Sequence, residues 1–257
     1  MRRIYLCLLL LLCTGQAIAA LPDYAREARL ADEIVDAILD GEALWLSAND
    51  REFLAILTEA EQADSAVIIL HGRGFHPDWV DTVQPLRVGL AERGFTTLSL
   101  QMPVLGKEAK YYDYLPIFEF AHARIEAGIE FLRQQGYAKV ILLAHSCGVH
   151  MAMSWIGERG DATIDAFVGL GMGATDYQQP MPQDFPLQSM QQPVLDLYGA
   201  REYPAVMRMA PQRKQMIELA ANPLSRQQLL ADADHYFAGR GGALLDAVEN
   251  WLQSLRQ

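Results

Sequence analysis

The sequence predicts an α/β fold in which a mostly parallel sheet is covered by helices on both faces and carries an N-terminal antiparallel hairpin at one edge. Three observations predict it. From Ser65 onward, the short apolar runs "AVIIL", "FTTLSL", "KVILLA", "DAFVGLGMG" and "PVLDLYG" alternate with longer stretches of helical period. The runs are solidly apolar rather than alternating, which is what strands buried on both faces require. Ahead of them, "ALWLSA" and "EFLAIL" flank the turn pair Asn49-Asp50 and read as a hairpin.

Taken in order, the chain opens with Met1-Arg2-Arg3, an apolar run from Ile4 to Cys13, and Ala17-Ile18-Ala19. A charged start, a short apolar run and an A-x-A site predict a signal peptide over 1–19 and a periplasmic or secreted mature chain beginning near Ala20. The run is much shorter than the ~20 apolar residues that span a bilayer, and no later run reaches that length, so no membrane span is expected. Lipid anchoring through Cys13 is disfavoured by Leu12, which stands where a small residue is needed. Residues 20–257 are expected to form a single domain, an ordinary size for one α/β core.

Removal of Arg2 and Arg3 makes the formal charge of −11 more negative by two, and no dense Lys/Arg block remains. Nucleic acid and anionic lipid surfaces are therefore poor partners. Cleavage also removes Cys7 and Cys13, leaving Cys147 with no intramolecular disulfide partner. The core alone must hold the fold. The oligomeric state is not encoded in any feature of the sequence.

An amphipathic helix is expected over Asp23–Leu39, with Leu30, Ala31, Ile34, Val35 and Ile38 at helical spacing and Gly41 just beyond. Another helix should end at Arg93-Gly94. A third, from about Ile117 to Gln135, carries Ile117, Ala121, Ile125, Ile129 and Leu132 and stops at Gly136. Further helices follow from about Cys147, through Leu219, and over Gly242–Leu255. Residues 175–193, rich in Gln and Pro, read as a long loop or lid.

In an open parallel sheet, ligands meet the carboxyl ends of the strands. "AVIIL" leads into His71-Gly72-Arg73-Gly74, "ILLA" into His145-Ser146-Cys147-Gly148, "VLDLYG" is followed by Glu202, and "LLADAD" by His235-Tyr236-Phe237. A serine, an acid and a histidine thus appear in the chain order of an α/β-hydrolase triad. On these motifs the chain from about Ala66 to Leu255 resembles the α/β-hydrolase superfamily. Within it, "LHGRGFHPDW" and "TLSLQMPVL" resemble a little-characterised family of exported bacterial hydrolase-like proteins.

The resemblance assigns the nucleophile by register. The elbow pattern is small-x-nucleophile-x-Gly, a strained turn from strand to helix. With Ser146 central the flanking positions are Ala144 and Gly148, which fit; with Cys147 central they are His145 and Val149, which do not. Cys147 then supplies only its backbone N–H to an oxyanion hole, and the N–H of Arg73 is the second expected donor.

His235 is the expected base, since it alone of six histidines lies in the late loop before the terminal helix. His71 reads as a strand-end structural residue, His122 as helix surface, His145 and His150 as neighbours of the elbow, and His76 has no assigned role. A metal site from His71, His76 and His145 has no diagnostic spacing, so no metal is expected. The resemblance places the acid three residues after Gly199, at Glu202, with Asp176 as the fallback. Glu202 reads equally as a surface carboxylate opening the next helix, and Asp196 as a buried hydrogen-bonding group inside its strand. Tyr111, Tyr112, Tyr114 and Phe118 either wall an apolar acyl pocket or pack locally.

The expected function is that of an exported serine hydrolase that cleaves a carboxylic ester or related acyl bond of a small molecule without a cofactor. The rival, left open by Ala144 in place of the elbow's first glycine and by the uncertain acid, is a non-catalytic binding or scaffold protein with the same fold.

Overall fold

The computed structural model describes residues 20–173, 181 and 184–256. The signal segment 1–19, Asp176 and residues 175–180, 182 and 183 of the 175–193 loop lie outside the described residues. In chain order the elements are α1 (Tyr24–Ile34), β1 (Glu42–Ala48), β2 (Arg51–Thr58), β3 (Ser65–Leu70), α2 (Val83–Glu92), β4 (Thr96–Leu100), α3 (Tyr111–Tyr114) and α4 (Phe118–Gln134). There follow β5 (Lys139–His145), α5 (Cys147–Arg159), β6 (Ala166–Leu170), β7 (Val194–Arg201), α6 (Pro204–Ala220), β8 (Arg226–Asp234) and α7 (Gly241–Ser254).

The strands form one sheet in the order β1-β2-β4-β3-β5-β6-β7-β8. Strand β2 runs antiparallel to both β1 and β4, and every other neighbouring pair is parallel. The predicted hairpin is present at that edge. Asn49 and Asp50 both take positive φ, 52° and 58°, the two-residue turn whose twist matches the flanking strands. The next two strands in the chain, β4 and β5, lie on opposite sides of β3. The carboxyl ends of β3 and β5 therefore lie side by side at a switch in strand order, the place where such sheets take ligands.

The pleat divides the core in two. Ile68 and Leu70 of β3 join Leu142 of β5 and face Ile125 and Ile129 of α4 and Trp155 of α5. Val67 and Ile69 join Leu143 on the other side, against Leu86 and Leu90 of α2 and Leu244, Val248 and Trp251 of α7. Each such side chain contributes about 1.5–3 kcal/mol when fully buried. Cys147, the one cysteine among the described residues, is free and buried, so this core does without a crosslink there.

Helix α1 is shorter than its periodicity predicts. It gives way to a single 3₁₀ turn at Val35–Ala37, and Leu39 is 89% exposed. The reason is how it docks. Its buried residues are Glu27 and Ala31 rather than the leucine and isoleucine stripe. The Glu27 carboxylate accepts from Arg124 Nη2 at 2.7 Å and from the Val104 N–H at 3.1 Å, and Gln101 Nε2 donates to its carbonyl at 2.8 Å.

His122 also departs from expectation. It is buried, with Nε2 3.1 Å from Ser154 Oγ between α4 and α5, because it shares the inward stripe of Ile125 and Ile129. The one-turn α3 had no signal in the sequence. Of the 175–193 loop, Phe185, Leu187 and Met190 are buried in the core around a 3₁₀ turn at Pro186–Ser189. Among the described residues, no helix is long and apolar enough to cross a membrane.

Candidate active site

The site begins where β5 turns into α5. Ser146 has φ 54° and ψ −118°, a conformation that non-glycine residues rarely adopt and that stores about 1–3 kcal/mol of strain. Its neighbours impose it. The Ser146 N–H donates to Leu170 O at 3.0 Å, and its carbonyl accepts from the Val149 N–H at 3.0 Å. Two residues on, a Cβ at Gly148 would lie 2.7 Å from His71 O and 2.8 Å from Leu70 O, so the helix approaches the end of β3 only because that residue is glycine.

This turn aims the Ser146 hydroxyl at the loop after β8. Oγ lies 2.8 Å from His235 Nε2. On the far side of the ring, His235 Nδ1 is hydrogen-bonded to Glu202 Oε1, which also accepts the Tyr203 N–H at 3.0 Å. A carboxylate can only accept, so Nδ1 carries the hydrogen and Nε2 offers its lone pair to the serine. Glu202, given two readings from sequence, is no surface group: its side chain is fully buried. Strand β7 carries it inward by continuing two residues past Gly199.

The His235 loop is braced from several sides. Asp234 Oδ1 accepts the N–H groups of Tyr236 and Ala238 at 3.0 and 3.1 Å. His145 Nε2 donates to the His235 carbonyl at 2.8 Å. The rings of Tyr203 and His235 lie 4.6 Å apart, and the Tyr203 and Tyr236 hydroxyls pair at 2.9 Å.

Three other histidines, His71, His145 and His150, bond to backbone groups, and His150 also lines the cleft at Ser146. His71 donates from Nδ1 to Gly72 O at 2.8 Å and accepts the Met102 N–H on Nε2 at 2.9 Å. His150 donates to Gly173 O at 3.0 Å. Burial depresses them well below the ordinary imidazole value, to about 3 for His71 and His145 and about 4 for His150. All three are neutral at pH 7. Burial also pushes the Cys147 thiol up to about 12, so this side chain is no thiolate nucleophile near neutrality. Asp196, as expected, is a buried structural group, paired with Arg213 Nε at 2.8 Å and Gln227 Nε2 at 2.7 Å.

A cleft of about 280 Å³ opens onto Ser146 and His235. Cys147 is the first residue of α5, so its N–H has no partner within the helix, and Cys147 and Arg73 line the same cleft. Of the four expected wall residues, Tyr111 and Tyr114 line the cleft. Phe118 stands behind, its ring 6.4 Å from that of Tyr111, and Tyr112 lies edge-on to Tyr111. Residues without a signal in the sequence also line it: Arg26 from α1, Phe75, Tyr203 and Tyr236. Among the described residues, no group of three or more His, Cys, Asp or Glu side chains could hold a metal ion.

An imidazole that accepts from a hydroxyl and donates to a carboxylate can take the hydroxyl's proton as the oxygen attacks an electrophile. Solved structures share the scaffold. Est1E from Butyrivibrio proteoclasticus superposes with a TM-score of 0.65 at 14% identity, over 84% of this chain and 99% of that one. The Pyrococcus furiosus esterase PF2001 gives 0.65 at 15% identity, over 86% and 93%. A dienelactone hydrolase from Anabaena variabilis gives 0.64 at 18% identity, over 84% and 97%. These likenesses establish the α/β-hydrolase fold. No curated protein matches the sequence. The model of one family, described as "Protein of unknown function (DUF3530)", matches residues 4–113 and 107–254, and the chain belongs to that family.

Proposed function

We propose that the protein is an exported serine hydrolase that cleaves a carboxylic ester or related acyl bond of a small molecule. Ser146 attacks the acyl carbon and His235 takes its proton, then returns it to the leaving oxygen. A water, deprotonated by His235, then attacks the acyl-serine, and the proton returns to Ser146 as the acid leaves. Glu202 holds the imidazole in the required tautomer and stabilises the imidazolium. The Cys147 and Arg73 N–H groups bind the oxygen that becomes negative. No cofactor enters the cycle. The observation that carries this reading is the continuous relay from Ser146 Oγ through His235 to the buried Glu202, with the serine held at positive φ.

The modest cleft volume favours short acyl groups over long chains. Export is supported by the charged start, short apolar run and Ala17-Ile18-Ala19. The mature chain then starts near Ala20, a few residues ahead of Asp23, whose carboxylate caps α1 by accepting the Arg26 N–H at 2.9 Å.

The test is a fluorophosphonate probe on the purified mature protein. Wild type should label and hydrolyse short esters, Ser146→Ala should do neither, and Cys147→Ala should keep most of both. Labelling that follows Cys147 overturns the assignment of the nucleophile. A folded wild type that neither labels nor turns over any ester is a scaffold protein.

A further inference from the structure

We propose that the substrate carries an anionic group beside the scissile ester, a carboxylate or a phosphate, and that Arg26, Arg73 and Lys107 receive it at the Ser146 cleft. This rests on the hydrolase reading above. Among the described residues three cationic side chains line the cleft and no Asp or Glu does. The whole chain has the opposite balance, with 21 Lys and Arg against 32 Asp and Glu. A local cluster of positive charge in an acidic protein concentrates anions at that one place.

None of the three is neutralised by an ion pair among the described residues. Arg26 donates to two neutral carbonyls, Leu105 O and Gly74 O, the latter at 3.1 Å. It thus ties the loop after β3 to the loop after β4 while keeping its charge. It is fixed in place because α1 is anchored one residue on, through Glu27 and Arg124. Among the described residues Arg73 makes one side-chain hydrogen bond, to Ala109 O at 3.2 Å, and Lys107 stands exposed at the rim. The field of Arg73 reaches across the cleft: it acts against the upward shifts of the Cys147 thiol and of the Tyr114 and Tyr203 phenols.

Arg26 has a structural role through its two carbonyls, but carbonyls leave the charge of a cation uncompensated, whereas a carboxylate partner cancels it. Arg87, Arg124 and Arg213 elsewhere in the fold each have a carboxylate within 2.8 Å. The cleft cations do not.

Two esters of equal chain length provide the test: monoethyl succinate, which carries a carboxylate, and neutral ethyl butyrate, both followed by acid release. The expected result for wild type is a kcat/KM about tenfold or more higher for monoethyl succinate, the size of one charge-assisted contact. That ratio should shrink as ionic strength rises, fall about tenfold in Arg73→Gln and in Lys107→Gln, and recover in Arg73→Lys. Calorimetric titration of Ser146→Ala with succinate and with inorganic phosphate identifies which anion the site takes. Equal turnover of the two esters, or preference for ethyl butyrate, overturns the inference and leaves the hydrolase reading intact. Absence of turnover and of probe labelling overturns the hydrolase reading instead. In that case succinate or phosphate binding that weakens in Lys107→Gln upholds the anion site, and no binding overturns it too.

Discussion

A methyl group on Gly171 would stand 3.0 Å from both Nδ1 and Cε1 of His235, and 3.2 Å from Oε2 of Glu202. Gly171 begins the crossover from β6, where its N–H donates to Leu197 O at 2.9 Å and its φ is 63°. It is the floor under the His235–Glu202 pair. That floor matters because Glu202 Oε2 is buried with no hydrogen-bond partner among the described residues, and Gly171 packs against that end of the carboxylate.

Gly171→Ala should therefore push the imidazole off the serine. Turnover is expected to fall by about a hundredfold, the scale that a misplacement of about 1 Å produces. The left-handed backbone adds about 1–2 kcal/mol of destabilisation. Kinetics and a melting curve on the same preparation separate the two effects. Normal kcat in a folded Gly171→Ala would show that the ring does not depend on this contact.

The contrast between Gly171 and the proposed triad of Ser146, Glu202 and His235 shows what a sequence displays. Ser146, Glu202 and His235 were legible because each follows a strand end, and strands announce themselves as apolar runs. Gly148 was legible for the same reason, as part of a local pattern. Gly171, Arg26 and Tyr203 were not, because what makes them matter is contact across the sheet, and no neighbour in the chain records that. The overlong reading of α1 fails on a related ground. Apolar periodicity finds a helix, but it cannot see that this one docks through the Glu27 carboxylate, leaving Leu39 in solvent. His122 erred the other way, since a polar residue on an apolar stripe reads as surface until Ser154 is seen opposite it.

The three buried neutral histidines make stability depend on pH. In the unfolded chain each titrates near ~6.5; in the fold His71 and His145 are lowered to about 3 and His150 to about 4. Below the unfolded value the unfolded chain binds protons that the native state refuses. Their contribution is thus fully present above ~6.5 and is lost as pH falls toward the folded values. Replacing one of them removes one proton from that difference. In His71→Asn, the slope of unfolding free energy between about pH 6 and pH 4.5 should be shallower by ~1.4 kcal/mol per pH unit, whatever the variant's absolute stability. Denaturant titrations at several pH values measure it. A slope equal to wild type would mean that His71 is protonated in the fold.

Glu202 carries the sharpest prediction, because it was the least certain member from sequence and is the most enclosed in the fold. Its Oε1 accepts from His235 Nδ1 and from the Tyr203 N–H together. In Glu202→Gln the side chain keeps its shape and still reaches Nδ1, but an NH2 group turned toward the ring favours the tautomer with its hydrogen on Nε2. Lost as well is the negative charge that stabilises the imidazolium formed as Ser146 attacks. Turnover should drop steeply, with ~10⁴ as the ceiling set by the equivalent aspartate replacement in a serine protease, while KM changes little. The melting temperature should fall only slightly, since a neutral amide is cheaper to bury than a carboxylate with one unpaired oxygen. Asp176→Asn should be mild in both respects. Near-normal turnover in Glu202→Gln with collapse in Asp176→Asn would move the role to Asp176. A large loss of melting temperature in Glu202→Gln with kcat preserved would make Glu202 a structural anchor of the β7 end instead of a partner of His235.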